Sequence, residues 1–240
     1  MRKLAAEFLG TFFLVFTIIT TVLTKQPLAP LAIGATLVAM VFAAGHISGA
    51  HFNPAVTLAV WIRGKIDTRE VPGYVAAQSL AAVAAAAIGH AVTATNAGSA
   101  LTLSGSKLGA ALTAEALVTF ALAYVVLNVA TSSDHPGNSF YGLAIGFTVM
   151  AGAIAVGGIS GGVFNPAVAL GVATAGLVSW STLWVYLVAD LAGAAVAALV
   201  YRALNPHEWA PATPAQTPAP ANVPAPRQAD TQSTAPKASV

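Results

Sequence analysis

The 240-residue chain contains no cysteine, which excludes disulfides, thiolate metal sites and cysteine nucleophiles and leaves the compartment open. Charge is almost as scarce. Ten Lys and Arg and eight Asp and Glu make up 8% of the residues, where a soluble domain carries about 25%. A net charge of +2 without a basic cluster excludes nucleic-acid binding as a reading. Half of the charges lie in two short stretches, 63–70 and 207–237. The remainder is a series of nearly uncharged runs of about 20 residues, each able to cross a bilayer as a helix.

What is abundant is apolar: 57% of residues are hydrophobic. Candidate spans are Leu4 to Thr24, Pro30 to Ile47, Val71 to Thr93, Leu108 to Thr131, Phe140 to Gly157 and Ser181 to Arg202. The first run is too long for a cleavable signal peptide, and no small-residue cleavage pattern follows it. With both termini in the cytoplasm, Arg2, Lys3, Arg63, Lys65, Arg69, Arg202, Arg227 and Lys237 lie inside and only Lys25 and Lys107 outside. That asymmetry favours this orientation. From residue 205 the composition shifts, with eight of the 14 prolines between Pro206 and Pro236. Residues 205–240 read as a disordered, Pro/Ala-rich cytoplasmic tail, because few large apolar groups are present to offset the entropy of ordering.

An internal repeat organises the rest. Ile47-Ser48-Gly49-Ala50-His51-Phe52-Asn53-Pro54-Ala55-Val56 recurs 112 residues later as Ile159-Ser160-Gly161-Gly162-Val163-Phe164-Asn165-Pro166-Ala167-Val168. Leu31 to Gly34 recurs as Leu143 to Gly146, while Ala6-Glu7 and Thr11-Phe12 recur as Ala114-Glu115 and Thr119-Phe120. Repeat one covers about 4–95 and repeat two about 108–204. Each holds three spans, an odd number, so the second enters the membrane from the opposite side. In each repeat the motif opens an apolar segment too short to span, Ala55 to Ile62 and Ala167 to Ala175. Asn before Pro is a helix start: the Asn side chain caps the first turn and Pro loses a donor that would be unpaired anyway. The expected fold is all-α, six transmembrane helices and two re-entrant half-helices. Irregular backbone at membrane depth survives only where protein buries it or water reaches it, so two such segments imply an internal aqueous path. The half-helix N-termini and the Asn53 and Asn165 amides would form one polar constriction near the midplane, with Pro54, Ala55, Pro166 and Ala167 around them.

These motifs, with Ala6-Glu7-Phe8-Leu9-Gly10-Thr11 and Ala77-Gln78, closely resemble the aquaporin (major intrinsic protein) family over residues 4 to about 204. The resemblance implies an hourglass-shaped pore in each subunit of a homotetramer, set in the lipid bilayer, here of a bacterial inner membrane. The second motif departs from the family, which normally places Arg after the second Asn-Pro-Ala; this chain has Val168. The other filter positions carried over are Ile33, Ala153 and Gly162. Water-specific members build the ring from an aromatic, a His and the Arg. Four apolar residues, two of them very small, make a wider filter without its fixed charge. Such filters are similar to those of channels for glycerol, urea or uncharged metalloid hydroxides such as arsenite, and the Val is similar to bacterial members linked to arsenic handling. The function expected is a passive channel for small uncharged solutes and water, and not an enzyme; a strict water channel is the alternative.

Glu7 and Glu115 occupy equivalent places and are expected to accept hydrogen bonds from the loops before the half-helices. Asp190 stands where the family usually has Pro, and facing a neighbouring subunit or bonding backbone donors both remain open. His51 is expected to line the cytoplasmic pore, with pH gating as a minor alternative. His46 and His90 read as helix-packing residues. No metal-ligand pattern or cofactor motif is present. Two further classes stay open: an ion-coupled transporter using Glu7, Glu115 and Asp190, and an intramembrane serine protease suggested by Gly158-Ile159-Ser160-Gly161. The only His after Ser160 is His207, beyond the last span. Gly142 with Gly146, Gly157 with Gly161, and Ala189 with Gly193 have the spacing of close helix packing.

Overall fold

The computed structural model describes residues 1–209. Six helices are long and apolar enough to cross a membrane: α1 (Arg2–Leu23), α2 (Ala29–Ser48), α4 (Val71–Thr93), α5 (Ser106–Thr131), α6 (Tyr141–Ser160) and α8 (Leu183–Leu204). Between them lie two nine-residue helices, α3 (Pro54–Ile62) and α7 (Pro166–Thr174). Helices prevail because lipid offers no hydrogen bonds, so each spanning segment must pair its own backbone. Among the described residues the only β pairing is an isolated bridge between Leu101 and Val178, which ties the loop before α5 to the loop after α7. The segments α2, α3 and the start of α4 recur at an offset of 112 as α6, α7 and the start of α8.

The core is unusual in what it buries. The inward face of α1 carries Glu7, Gly10, Thr11, Leu14 and Val15 at helical spacing, while Leu9, Phe13 and Val22 face outward. Large outward apolar side chains suit lipid rather than water. Helix seams are made of small residues: Ala81, Ala82, Ala85, Ala86 and Gly89 on α4, and Ala189, Gly193, Ala194, Ala197 and Ala198 on α8. At the α5–α8 crossing, a Cβ on Gly193 would stand 2.3 Å from the Ala116 carbonyl oxygen. At the α2–α6 crossing, a Cβ on Gly146 would stand 2.6 Å from the Gly34 carbonyl oxygen. Gly142 likewise faces Phe42. The pairing of Gly157 with Gly161 is corrected, since no atom lies within 4 Å of a Cβ built on Gly157. That face of α6 borders a cavity rather than a helix.

One end of the bundle holds the polar ties. Lys3 bonds Glu70 at 2.8 Å. Arg63, which follows α3, bonds Glu208 at 2.5 Å, with both side chains buried. The Arg63 guanidinium also stacks 4.3 Å from the Trp209 ring and 5.4 Å from the Tyr201 ring. Glu208 further accepts from the Ser133 amide and the Ser132 hydroxyl. Burial pulls the Glu208 carboxyl upward, but these donors and Arg63 outweigh it and hold it at about 2. The expectation of disorder from residue 205 therefore needs a correction at its boundary. Pro206–Trp209 form a 3-10 helix anchored by that ion pair, because Glu208 and Trp209 complete a buried Arg that otherwise lacks a counter-charge. The rest of the expected tail, 210–240, lies outside the described residues.

Candidate functional site

The site is built from the two loops that join a spanning helix to a half-helix. Helix α2 ends at Gly49 in the left-handed region (φ 87) and α6 ends likewise at Gly161 (φ 96), a conformation glycine adopts without a Cβ penalty. The chain then passes through further left-handed residues, Ala50 (φ 52) and Phe52 (φ 50) in one loop, Gly162 (φ 68) and Phe164 (φ 52) in the other. A non-glycine residue in this region costs about 1–3 kcal/mol and persists only where its surroundings impose it.

Two buried glutamates impose it. Glu7 Oε1 accepts from the Ser48 hydroxyl (2.7 Å) and the His51 amide (3.0 Å), and Oε2 from the Phe52 amide (2.7 Å) and the Gln78 carboxamide (2.8 Å). Glu115 Oε1 accepts from the Ser160 hydroxyl (2.5 Å) and the Val163 amide (3.0 Å), and Oε2 from the Phe164 amide (2.6 Å). Hydrogen bonds to a charged group contribute about 1.5–3 kcal/mol each, so three or four of them outweigh the backbone strain. The Tyr74 and Tyr186 hydroxyls complete each bracket by donating to the Ser48 and Ser160 carbonyls.

With the loops held, the half-helices meet head to head. Asn53 Oδ1 caps α3 through the Ala55 amide (2.8 Å), and Asn165 Oδ1 caps α7 through the Ala167 amide (2.9 Å). Asn53 Nδ2 donates to the Phe164 carbonyl (2.9 Å) and Asn165 Nδ2 to the Phe52 carbonyl (2.8 Å). Each loop is thus fixed by the Asn of the other repeat. A carboxamide carries two N–H groups, so each Asn keeps one beyond this cross-bond.

Both Asn side chains line a cavity of about 420 Å³. Ile33, Ala153, Gly162 and Val168 all border the same cavity. A Cβ on Gly162 would lie 3.2 Å from Gly157 Cα and 3.5 Å from Ala153 Cα, so this wall is close to bare backbone. Of the side chains lining the cavity only His51, Asn53 and Asn165 are polar, and none is charged. A second cavity of about 420 Å³ opens at the other end, bordered by Lys3, His46, Lys65 and Glu70. His51 and Val126 border both. His51 Nδ1 lies 3.1 Å from the Thr57 hydroxyl, which donates to the Asn53 carbonyl. Thr57 then accepts from Nδ1–H, which leaves the Nε2 lone pair of His51 free of that bond.

Glu7, Glu115 and Asp190, the acids that an ion-coupled transporter was expected to use, border neither cavity. The Ser160 hydroxyl is spent on Glu115 and accepts from the Gly162 amide, while His207 pairs with Asp134 at the bundle's end, so the histidine a serine protease would need is not at Ser160. The two ring nitrogens of His90 lie 3.1 Å from the Thr95 carbonyl and 2.9 Å from the Ala175 carbonyl. Asp190 is wholly buried inside the chain, against Thr119, which closes the reading of a residue facing a neighbour. Asp134, His207 and Glu208 come within 4.8 Å of one another, but Glu208 already serves Arg63 and two serines. Thr57, Tyr74 and Tyr186 were not among the sequence candidates. Tyr74 and Tyr186 share the repeat offset of 112, a signal that extending the repeat past the motif would have found.

Comparison with known proteins agrees with this arrangement. The family model described as major intrinsic protein matches residues 1–201. A glycerol uptake facilitator protein-like 6 of Lactiplantibacillus plantarum is 43% identical over 216 residues, covering 85% of this chain and 99% of that protein. Aquaporin NIP1-4 of Oryza sativa subsp. japonica is 37% identical over 209 residues, covering 84% of this chain and 76% of that protein. The X-ray structure of the aquaglyceroporin from Plasmodium falciparum superposes with a TM-score of 0.71 at 23% identity, covering 86% of this chain and 98% of that one. The chain belongs to the major intrinsic protein family, and is an integral membrane channel for small solutes of the aquaporin and glycerol-facilitator type.

Proposed function

We propose that the channel passes small uncharged solutes larger than water, such as glycerol or metalloid hydroxides including arsenite, alongside water. The observation that supports this reading is that Ile33, Ala153, Gly162 and Val168 all line one cavity that has no charged lining side chain. A narrow filter needs bulk and fixed donors, and these four residues supply neither. The constriction is assigned to Asn53 and Asn165, each backed by the N-terminus of a nine-residue half-helix. The two positive dipole ends, about half an elementary charge each, oppose cations where the family's Arg is missing. His51 is assigned to the cytoplasmic side of the pore. The similarity to a glycerol uptake facilitator protein-like 6 supports a polyol-sized path.

The reading also takes the chain as a homotetramer in a bacterial inner membrane, both termini cytoplasmic. The ends of α1 and α8 and the loop after α3 share one end of the bundle through the Lys3–Glu70 and Arg63–Glu208 pairs. Arg2, Lys3, Arg63, Lys65, Arg69 and Arg202 all belong to these segments, as the bias of positive charge toward the cytoplasm favours.

Stopped-flow light scattering on proteoliposomes, comparing water, glycerol and arsenite, tests the proposal. Solute flux well above that of empty liposomes is expected, with Val168→Arg lowering solute flux more than water flux. Rapid water flux without solute flux in the wild type would overturn it.

A further inference from the structure

The two brackets that hold the re-entrant loops are near copies with one chemical difference. Glu7 and Thr11 match Glu115 and Thr119 at an offset of 108, and Ser48 and Tyr74 match Ser160 and Tyr186 at an offset of 112, while Gln78 is replaced at the offset of 112 by Asp190. In the first repeat the neutral carboxamide of Gln78 donates from Nε2 to Glu7 Oε2 (2.8 Å) and to the Thr57 hydroxyl (3.1 Å). In the second repeat Ala169 stands in place of Thr57, so no hydroxyl is supplied. Asp190 is 0% exposed. Its Oδ1 accepts from the Thr119 hydroxyl (3.1 Å), and its Oδ2 has no partner.

Thr119, which donates to Asp190, lies one turn beyond Glu115 on α5, and Gln78, which holds the place of Asp190 in the first repeat, contacts Glu7 at 2.8 Å, so the fold sets the Asp190 carboxyl beside Glu115. Two carboxylates cannot meet in a dry interior without a cation or a proton between them. No cation stands there among the described residues. The titratable group facing Asp190 from α5 is Glu115, and from α8 itself Tyr186, whose hydroxyl is spent on the Ser160 carbonyl. Helices α3 and α7 and the loop 161–165 carry no titratable residue. Lys107 and Tyr124 of α5 lie at least two turns from Glu115, and Arg202 of α8 lies three turns from Asp190.

We infer that Asp190 and Glu115 share a single proton, carried on Asp190 Oδ2 and donated to Glu115 Oε2. Asp190 then plays the part that Gln78 plays in the first repeat. It is a positioning residue: it touches no solute, but it supplies the second donor to the oxygen that holds the Phe164 amide. A charge-assisted O–H···O⁻ bond is short and strong, which suits a bracket lacking the Thr57–Gln78 contact. The pair carries one negative charge in place of two, the same charge as the Glu7 bracket. The second loop therefore depends on a proton where the first depends on an amide. This holds whichever solute passes.

The test is infrared spectroscopy of the full chain in lipid nanodiscs, combined with hydrogen exchange at the Val163 and Phe164 amides corrected for intrinsic rate. The wild type should show a protonated-carboxyl carbonyl band at neutral pH that is lost in Asp190→Asn. Asp190→Asn and Asp190→Gln, which replace the proton by an amide donor, should keep the two loop amides protected. On raising pH, loss of the band in the wild type should coincide with loss of that protection, while the protection in Asp190→Asn stays constant. A wild type without the band, a band that survives in Asp190→Asn, or the same alkaline loss of protection in both proteins would each overturn the inference.

Discussion

Gly193→Ala tests whether close helix approach sustains this architecture. The new Cβ would stand 2.3 Å from the Ala116 carbonyl oxygen and 3.0 Å from the Phe120 amide nitrogen, both backbone atoms that no rotamer change can move aside. Ordinary contact starts at 3.4 Å, so α5 and α8 must part by about 1 Å at the crossing. A gap of 0.5–1 Å forfeits about a quarter to a half of the dispersion attraction along the opened seam, and overpacking of this kind costs about 1–3 kcal/mol. The damage should reach the channel. Ala116 follows Glu115, and Asp190 lies one turn before Gly193 on α8, so the displacement loosens the bracket on the second loop. Thermal unfolding in detergent micelles and stopped-flow flux in proteoliposomes should both fall. Gly109→Ala is the control, on the facing helix α5 with nothing within 4 Å of the added Cβ. It should be neutral or stabilising by up to about 1 kcal/mol. Wild-type stability and flux in Gly193→Ala, or an equal loss in Gly109→Ala, would refute the reasoning.

Glu7→Leu leaves the His51 and Phe52 amides buried without an acceptor, at about 1–3 kcal/mol each. Hydrogen exchange at those two amides should rise and the unfolding temperature should drop; unchanged protection would show that the loop holds without the glutamate. Glu208 is held at about 2, below its ordinary 4.5, so it contributes stability that is present above pH 4.5 and lost as pH falls toward 2. Unfolding temperatures measured across that window should fall more steeply for the wild type than for Glu208→Gln. Parallel curves would remove Glu208 from the account.

Much of the fold was legible without coordinates, for a local reason. In lipid each segment must satisfy its own backbone, so length and hydropathy alone place the six spans. The repeat then orders them, and the paired Asn-Pro-Ala motifs mark where the half-helices start. Val168, Ile33, Ala153 and Gly162 could be singled out from the resemblance. What remained hidden were relations between helices. That Asn53 donates to the Phe164 carbonyl, 111 residues away, depends on where two loops cross, and no periodicity encodes it. Gly157 and Gly193 have the same spacing signature, yet one borders a cavity and the other a helix backbone. Rotation of each helix about its axis decided between them. The chain's shortage of charge determined by itself that this is a membrane protein. That Glu7 and Glu115 hold the loops was expected from the repeat, but only the tertiary structure decided which donors each takes and what Asp190 meets, because the donors to Glu7 and Glu115 come 41 to 71 residues along the chain.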